Sequence, residues 1–154
     1  MKRILAPTII AIGLCFAATG ASADYINSDQ LAKIEAVEVQ VEASIDDVCL
    51  GNSDVLKNEA ELVLRRSGIK VVEDNASHYV TINVSGIGKF ACAAVLGLTV
   101  YDFQTQTDGL IGLVLAFDSG GFRLGSMPDF PQQLREQVNA EASKLANEIL
   151  KARQ

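Results

Sequence analysis

Ala36-Val37-Glu38-Val39-Gln40-Val41-Glu42 alternates apolar and polar residues without a break. A period of two belongs to a β-strand, which sends successive side chains to opposite faces. Val37, Val39 and Val41 therefore mark a dry face, and Glu38, Gln40 and Glu42 the other. Downstream, Ser44 to Gly51 reads as a loop, and Asn52 or Ser53 then caps a helix. Leu56, Ala60, Val63 and Leu64 recur at helical spacing in that helix, and Lys57, Glu59, Glu61, Arg65 and Arg66 mostly take its wet side. Acidic residues come early and basic ones late, the order that the helix dipole favours. Gly68 closes it, free to adopt the left-handed conformation, and a short strand follows over Ile69–Glu73. Strand, helix and strand in this order predict a parallel crossover.

Working outward, Asp74 to Ser77 is a turn, and Val80, Ile82 and Val84 alternate with Thr81, Asn83 and Ser85 in a strand over His78–Ser85. Gly86 and Gly88 are expected to break it. Phe90–Gln104 is apolar on both faces as far as Tyr101, which suits a central strand. Thr107-Asp108-Gly109 marks a turn, so Leu110–Phe117 returns antiparallel. Asp118 to Gly121 reads as a further turn before a short edge strand, Phe122–Leu124. At the C-terminal end, Asp129-x-x-Gln132 has the character of a capping box, with Pro131 in the first turn. Leu134, Val138, Ala142, Leu145 and Ile149 then form one apolar stripe, bordered by Arg135, Glu136, Glu141, Lys144 and Lys151. The expected fold is α+β in two layers: a mostly antiparallel sheet of about five strands with two helices on one face.

The opposite end of the chain is different in kind. Lys2 and Arg3 precede an apolar stretch, Ile4–Ala18, and Ala21-Ser22-Ala23 supplies a small-x-small cleavage pattern. Residues 1–23 read as a signal peptide, leaving 24–154 as a single globular domain, periplasmic or secreted. The apolar stretch is short for a membrane anchor, and Leu14 before Cys15 is wrong for a lipoprotein. No transmembrane segment is expected after cleavage. The polar segment Asp24–Ala32 is expected to be a loose lead-in with at most one helical turn.

Cleavage changes the chemistry of what remains. The full chain has 13 basic and 19 acidic residues and a net charge of −6; losing Lys2 and Arg3 takes it to −8. Such acidity argues against nucleic acid and anionic membrane surfaces as partners. Cys15 leaves as well, so Cys49 and Cys92 remain, and in an oxidising compartment they are expected to pair. For a loop of this size, chain entropy predicts a stabilisation of roughly 4 kcal/mol.

No stretch of sequence commits to a reaction. His78 is the only histidine, and no pair of residues has metal-ligand spacing on one element, so neither a metal nor a cofactor is called for. Asp46, Asp47 and Asp54 cluster around Cys49 without the alternation of a calcium loop; they are the candidates for weak cation or partner contacts. Asp118-Ser119-Gly120-Gly121 resembles the string around the nucleophile of trypsin-type proteases. The chain is too short for that fold, and Phe117 stands where a Gly is needed. For an enzyme built from dispersed residues, Asp118, Ser119 and His78 are the candidates.

Glu61-Leu62-Val63-Leu64-Arg65-Arg66-Ser67-Gly68-Ile69-Lys70-Val71 resembles a helix–Gly–strand pattern, ELxLRxxGIxV, of small exported bacterial proteins. The resemblance implies a bacterial periplasm and carries no catalytic residues. The functional expectation is a binding or accessory module acting through protein or small-ligand contacts at the edge or open face of its sheet. A small enzyme and a self-associating structural subunit are the alternatives, and an envelope protein or a further copy of the chain the expected partner.

Overall fold

In the computed structural model, which describes residues 24–105 and 111–154, alternation and helical spacing resolve into a six-stranded mixed sheet with helices against it. The expected signal peptide and the Thr107–Gly109 turn lie outside the described residues. In chain order the elements are β1 (Tyr25–Ile26), α1 (Ser28–Leu31), β2 (Ala36–Ser44), α2 (Asp47–Leu50), α3 (Ser53–Arg66), β3 (Lys70–Val71), β4 (His78–Gly88), β5 (Cys92–Thr105), β6 (Ile111–Gly125) and α4 (Phe130–Ala152). The sheet order is β1-β6-β5-β4-β2-β3. The fold is α+β, as expected.

The expected parallel crossover forms: β2 runs parallel to β3, with Ala36 opposite Lys70. β2 also runs parallel to β4 over Val37–Ser44, a pairing the hairpin pattern did not suggest, and it places β3 at the edge. The β4–β5 and β5–β6 hairpins are antiparallel. Val37, Val39, Val80, Ile82, Val84, Leu96, Leu98 and Val100 face the helices and are buried with Leu56, Leu64 and the whole α4 stripe from Leu134 to Ile149. Each of these larger side chains contributes about 1.5–3 kcal/mol on burial.

Local chemistry sets the helix ends. Asn52 Oδ1 accepts the Asp54 amide at 2.8 Å, and Gly68 takes φ +79° beyond the last turn of α3. The α4 box does not form. Asp129 makes no side-chain bond to the helix and instead accepts from Ser126 Oγ at 2.5 Å, while Pro131 does occupy the first turn. Glu61 leaves the wet side expected of it: it is mostly buried and paired with Arg65 at 2.9 Å.

Several segments differ from expectation for identifiable reasons. Ser44–Gly51 contains α2 because Cys49 and Leu50 are buried in the core. The lead-in is tied down: β1 pairs with Phe117 and Asp118, and Asn27 caps α1 through the Gln30 amide. Gly86 and Gly88 do not end β4. A Cβ on Gly86 would meet Ala93 O at 2.2 Å, so that glycine permits close strand approach. Likewise Asp118 to Gly121 is no turn but the middle of β6. At Gly120 a Cβ would lie 2.2 Å from Leu96 O, which accounts for glycine within a strand. A register shift at Val100/Tyr101 leaves Ala116 as an extra residue on β6.

Candidate functional site

Both long helices pack on one face of the sheet, and no described element covers the other. Strand alternation populates that open face in levels. Ile87, Ala93 and Leu124 form one end, with Ser85, Val95 and Phe122 beside them. A polar belt follows: Asn83, Gly97 and Gly120, then Thr81, Thr99 and Asp118, flanked on β2 by Glu42 and Gln40. Tyr79, Tyr101 and Leu115 come next, and Phe103 with Leu113 closes the far end.

The two ends are apolar and exposed. Ile87 is 76% exposed, Val95 56%, Phe122 57% and Leu124 68%; Phe103 is 51% and Leu113 64%. Phe90, on the turn beyond Ile87, is 86% exposed with Lys89 Nζ 5.6 Å from its ring centre. Tyr79, Tyr101 and Phe103 pack as a trio: Phe103 meets the tyrosines edge-on at 5.3 and 5.8 Å, and the tyrosines stack at 6.0 Å. In the belt Thr81 Oγ1 donates to Tyr101 Oη at 3.0 Å, and Thr99 Oγ1 to Asp118 Oδ1 at 3.2 Å. Thr, Gln and Asn form only the middle of the face. Apolar residues on both faces of Phe90–Tyr101 were the available signal. That pattern fits a strand central in its sheet, but here one of the two faces has no cover.

The outer edge of β2 is also open. β3 reaches only Ala36 and Val37, so Val39–Ser44 has no strand partner on that side among the described residues.

The three candidates for dispersed catalysis do not converge. Asp118 points into the open belt and Ser119, one residue on, points to the helices. His78 shares the helix-facing side with Ser119, but it lies two strands away and four residues along β4 from Ile82, the residue level with Ser119. Ser119 is almost fully buried; its Oγ donates to Glu141 Oε2 at 2.5 Å and accepts from Lys144 Nζ at 3.1 Å. Lys144 also pairs with Asp24 at 2.5 Å, and this contact holds the Asp24 carboxyl below its ordinary pKa. The serine proton is committed to Glu141 and the lysine to Asp24, so the group fastens the β1 end of the chain to α4. Lys144 and Glu141 had read only as the border of a helix stripe.

His78 is buried. Ser77 Oγ donates to Ala36 O at 2.8 Å and shares a hydrogen bond with His78 Nδ1 at 3.0 Å. Nε2 is buried and without a hydrogen-bond partner. Desolvation lowers the His78 pKa, opposed by Asp102 on β5 and reinforced by Lys33.

Cys49 and Cys92 are joined, with their Cα atoms 5.7 Å apart, so the bond ties α2 to the start of β5. Asp46 stands at the N-terminal end of α2 and Asp47 in its first turn; Asp54 is in the first turn of α3. Among the described residues no three His, Cys, Asp or Glu side chains come together as a metal site. Between α3 and α4, Glu59 accepts from Asn139 Nδ2 at 2.7 Å and pairs with Arg135 at 3.4 Å, which lowers its pKa. These residues line a shallow groove, and Leu50, Val55, Leu56, Pro128 and Pro131 line a more apolar notch beside it. No described helix is long and apolar enough to cross a membrane.

No protein-family model matches the chain, and no curated protein matches it. Three solved structures resemble it in outline. A dodecameric PelC variant from Paraburkholderia phytofirmans is 14% identical, over 73% of this chain and 86% of that one, at a TM-score of 0.47. A minor lipoprotein from Acinetobacter baumannii is 12% identical over 78% and 93%, at 0.42. A DUF330 protein from Xanthomonas campestris is 12% identical over 77% and 85%, at 0.44.

Proposed function

We propose that the chain is an exported accessory module that holds a partner protein against the uncovered face of its sheet. The observation that carries this reading is the concentration of exposed apolar side chains there, from Ile87 and Phe122 at one end to Phe103 and Leu113 at the other. Clusters of exposed apolar side chains on a soluble protein mark interaction sites, and sheets are a recurrent recognition platform. The Cys49–Cys92 bond supports residence in an oxidising compartment, and the periplasm is the compartment proposed. Ser119, Glu141, Lys144 and Asp24 are engaged in fastening, which favours a binding role over a catalytic one.

The test is a photo-crosslinking amino acid placed at Phe122, at Leu113 or, as a control, at Glu136 on the exposed side of α4. Adducts formed in the bacterial envelope from the first two positions and not from the third support the reading. Equal labelling from all three, or none from any, overturns it.

A further inference from the structure

We infer that the occupant of the open face is the same face of a second copy, related by a two-fold axis parallel to the strands. This rests on the surface reading above and names its partner.

Area is the first argument. Ile87, Phe90, Val95, Phe103, Leu113, Phe122 and Leu124 are each more than half exposed. At roughly 150–200 Å² for a fully exposed side chain of this size, they present about 700–900 Å². A standard interface buries about 800 Å² per partner. The face therefore has the extent that one stable interface requires, without an additional element.

Pattern is the second. The levels run apolar, polar belt, then aromatic along the strand direction, and all but the Phe103–Leu113 level cross β4, β5 and β6. An axis parallel to the strands and centred on β5 sets every level against itself, with β4 of one copy over β6 of the other. Ile87 then lies over Leu124, and Phe103 over Phe103. In the belt the Asp118 carboxylate of each copy falls on the β4 side of the other, its charge met within its own chain by the Thr99 hydroxyl. Glu38 and Glu42 on β2 fall outside the contact, at a hydrated rim. Two sheets packed this way form an aligned sandwich.

Gly97 supplies an independent point. A Cβ there would meet nothing nearer than Ser119 O, at 3.9 Å, so the chain's own packing does not require glycine. Its bare backbone lies at the centre of the outer surface, where it lowers the polar belt and lets a second sheet approach.

The experiment is sedimentation equilibrium on the chain purified after export. A dimer at micromolar concentration is expected, strengthened by salt because both copies are acidic. Phe122→Asp with Leu124→Asp, and separately Leu113→Asp, should weaken dimerisation at least tenfold while far-UV circular dichroism and the disulfide stay unchanged. Gly97→Val should also weaken it. A wild-type monomer up to about 100 µM, or variants that dimerise as tightly as wild type, overturns the inference. If the chain is monomeric but crosslinking from Phe122 captures a different protein, the second copy fails as occupant and the surface reading stands. A monomer that also gives no specific crosslink removes both.

Discussion

Gly88 faces Cys49 so closely that a Cβ on the glycine would lie 2.2 Å from Cys49 Sγ. Gly88 is also the β4 residue opposite Cys92, so the disulfide crosses the space a side chain would fill. Gly88→Ala should destabilise the oxidised protein by about 1–3 kcal/mol through overpacking. In a Cys49→Ala, Cys92→Ala background, which itself loses roughly 4 kcal/mol, the same substitution should be much milder. Urea denaturation of the four proteins measures that coupling. Equal effects of Gly88→Ala in both backgrounds would show that the sulfur is not what the side chain meets.

Gly120 and Gly121 are adjacent in β6 but differ in what surrounds them. A Cβ on Gly120 would meet the backbone of Leu96 at 2.2 Å and Gly97 Cα at 2.7 Å, neither of which can move without opening the β5–β6 ladder. A Cβ on Gly121 would meet only the tip of Gln137, at 3.1 Å, and that side chain can shift. Gly120→Ala should therefore lower stability by about 1–3 kcal/mol, and Gly121→Ala by clearly less. The order of their urea midpoints checks this.

These glycines also explain which parts of the architecture were legible. Alternation in Val37–Val41 and Val80–Val84, and the α4 stripe, encode their environment locally, and each formed as expected. Asp118-Ser119-Gly120-Gly121 has the composition of a turn, yet it lies inside a strand because contact with Leu96 and Gly97 overrides local preference. That contact joins residues more than twenty positions apart and leaves no periodic trace. The open face was obscured in a different way. Apolar side chains on both sides of Phe90–Tyr101 indicate two dry faces, but not that one of them awaits a separate molecule.

Asn52 and Asp129 occupy matching positions ahead of α3 and α4, but only Asn52 bonds into its helix. Asn52→Ala leaves the Asp54 amide without its partner and should cost about 1 kcal/mol. Asp129→Ala removes a contact to Ser126 instead and should cost less. Thermal melting of the two variants ranks them, and the reverse order would mean that Asp129 caps α4 in solution.

His78 should make stability depend on pH in a window of its own. Its folded-state pKa is lowered, mainly by burial, so the unfolded chain binds the proton more readily. The neutral imidazole's advantage is complete above the unfolded pKa of about 6.5. It is lost as pH falls from there through the lower folded value. Asp24 and Glu59 are lowered carboxylates, whose stabilisation persists above their unfolded pKa of about 4 and is lost only in stronger acid. The two effects therefore begin at different pH. Replacing the imidazole in His78→Gln removes the first and keeps the second. Wild type should lose stability relative to His78→Gln as pH falls below about 6.5, and both should decline together once the carboxylates protonate. Melting temperatures taken from pH 8 to pH 4 test this: parallel curves across the upper range would show that the His78 proton affinity is the same folded and unfolded.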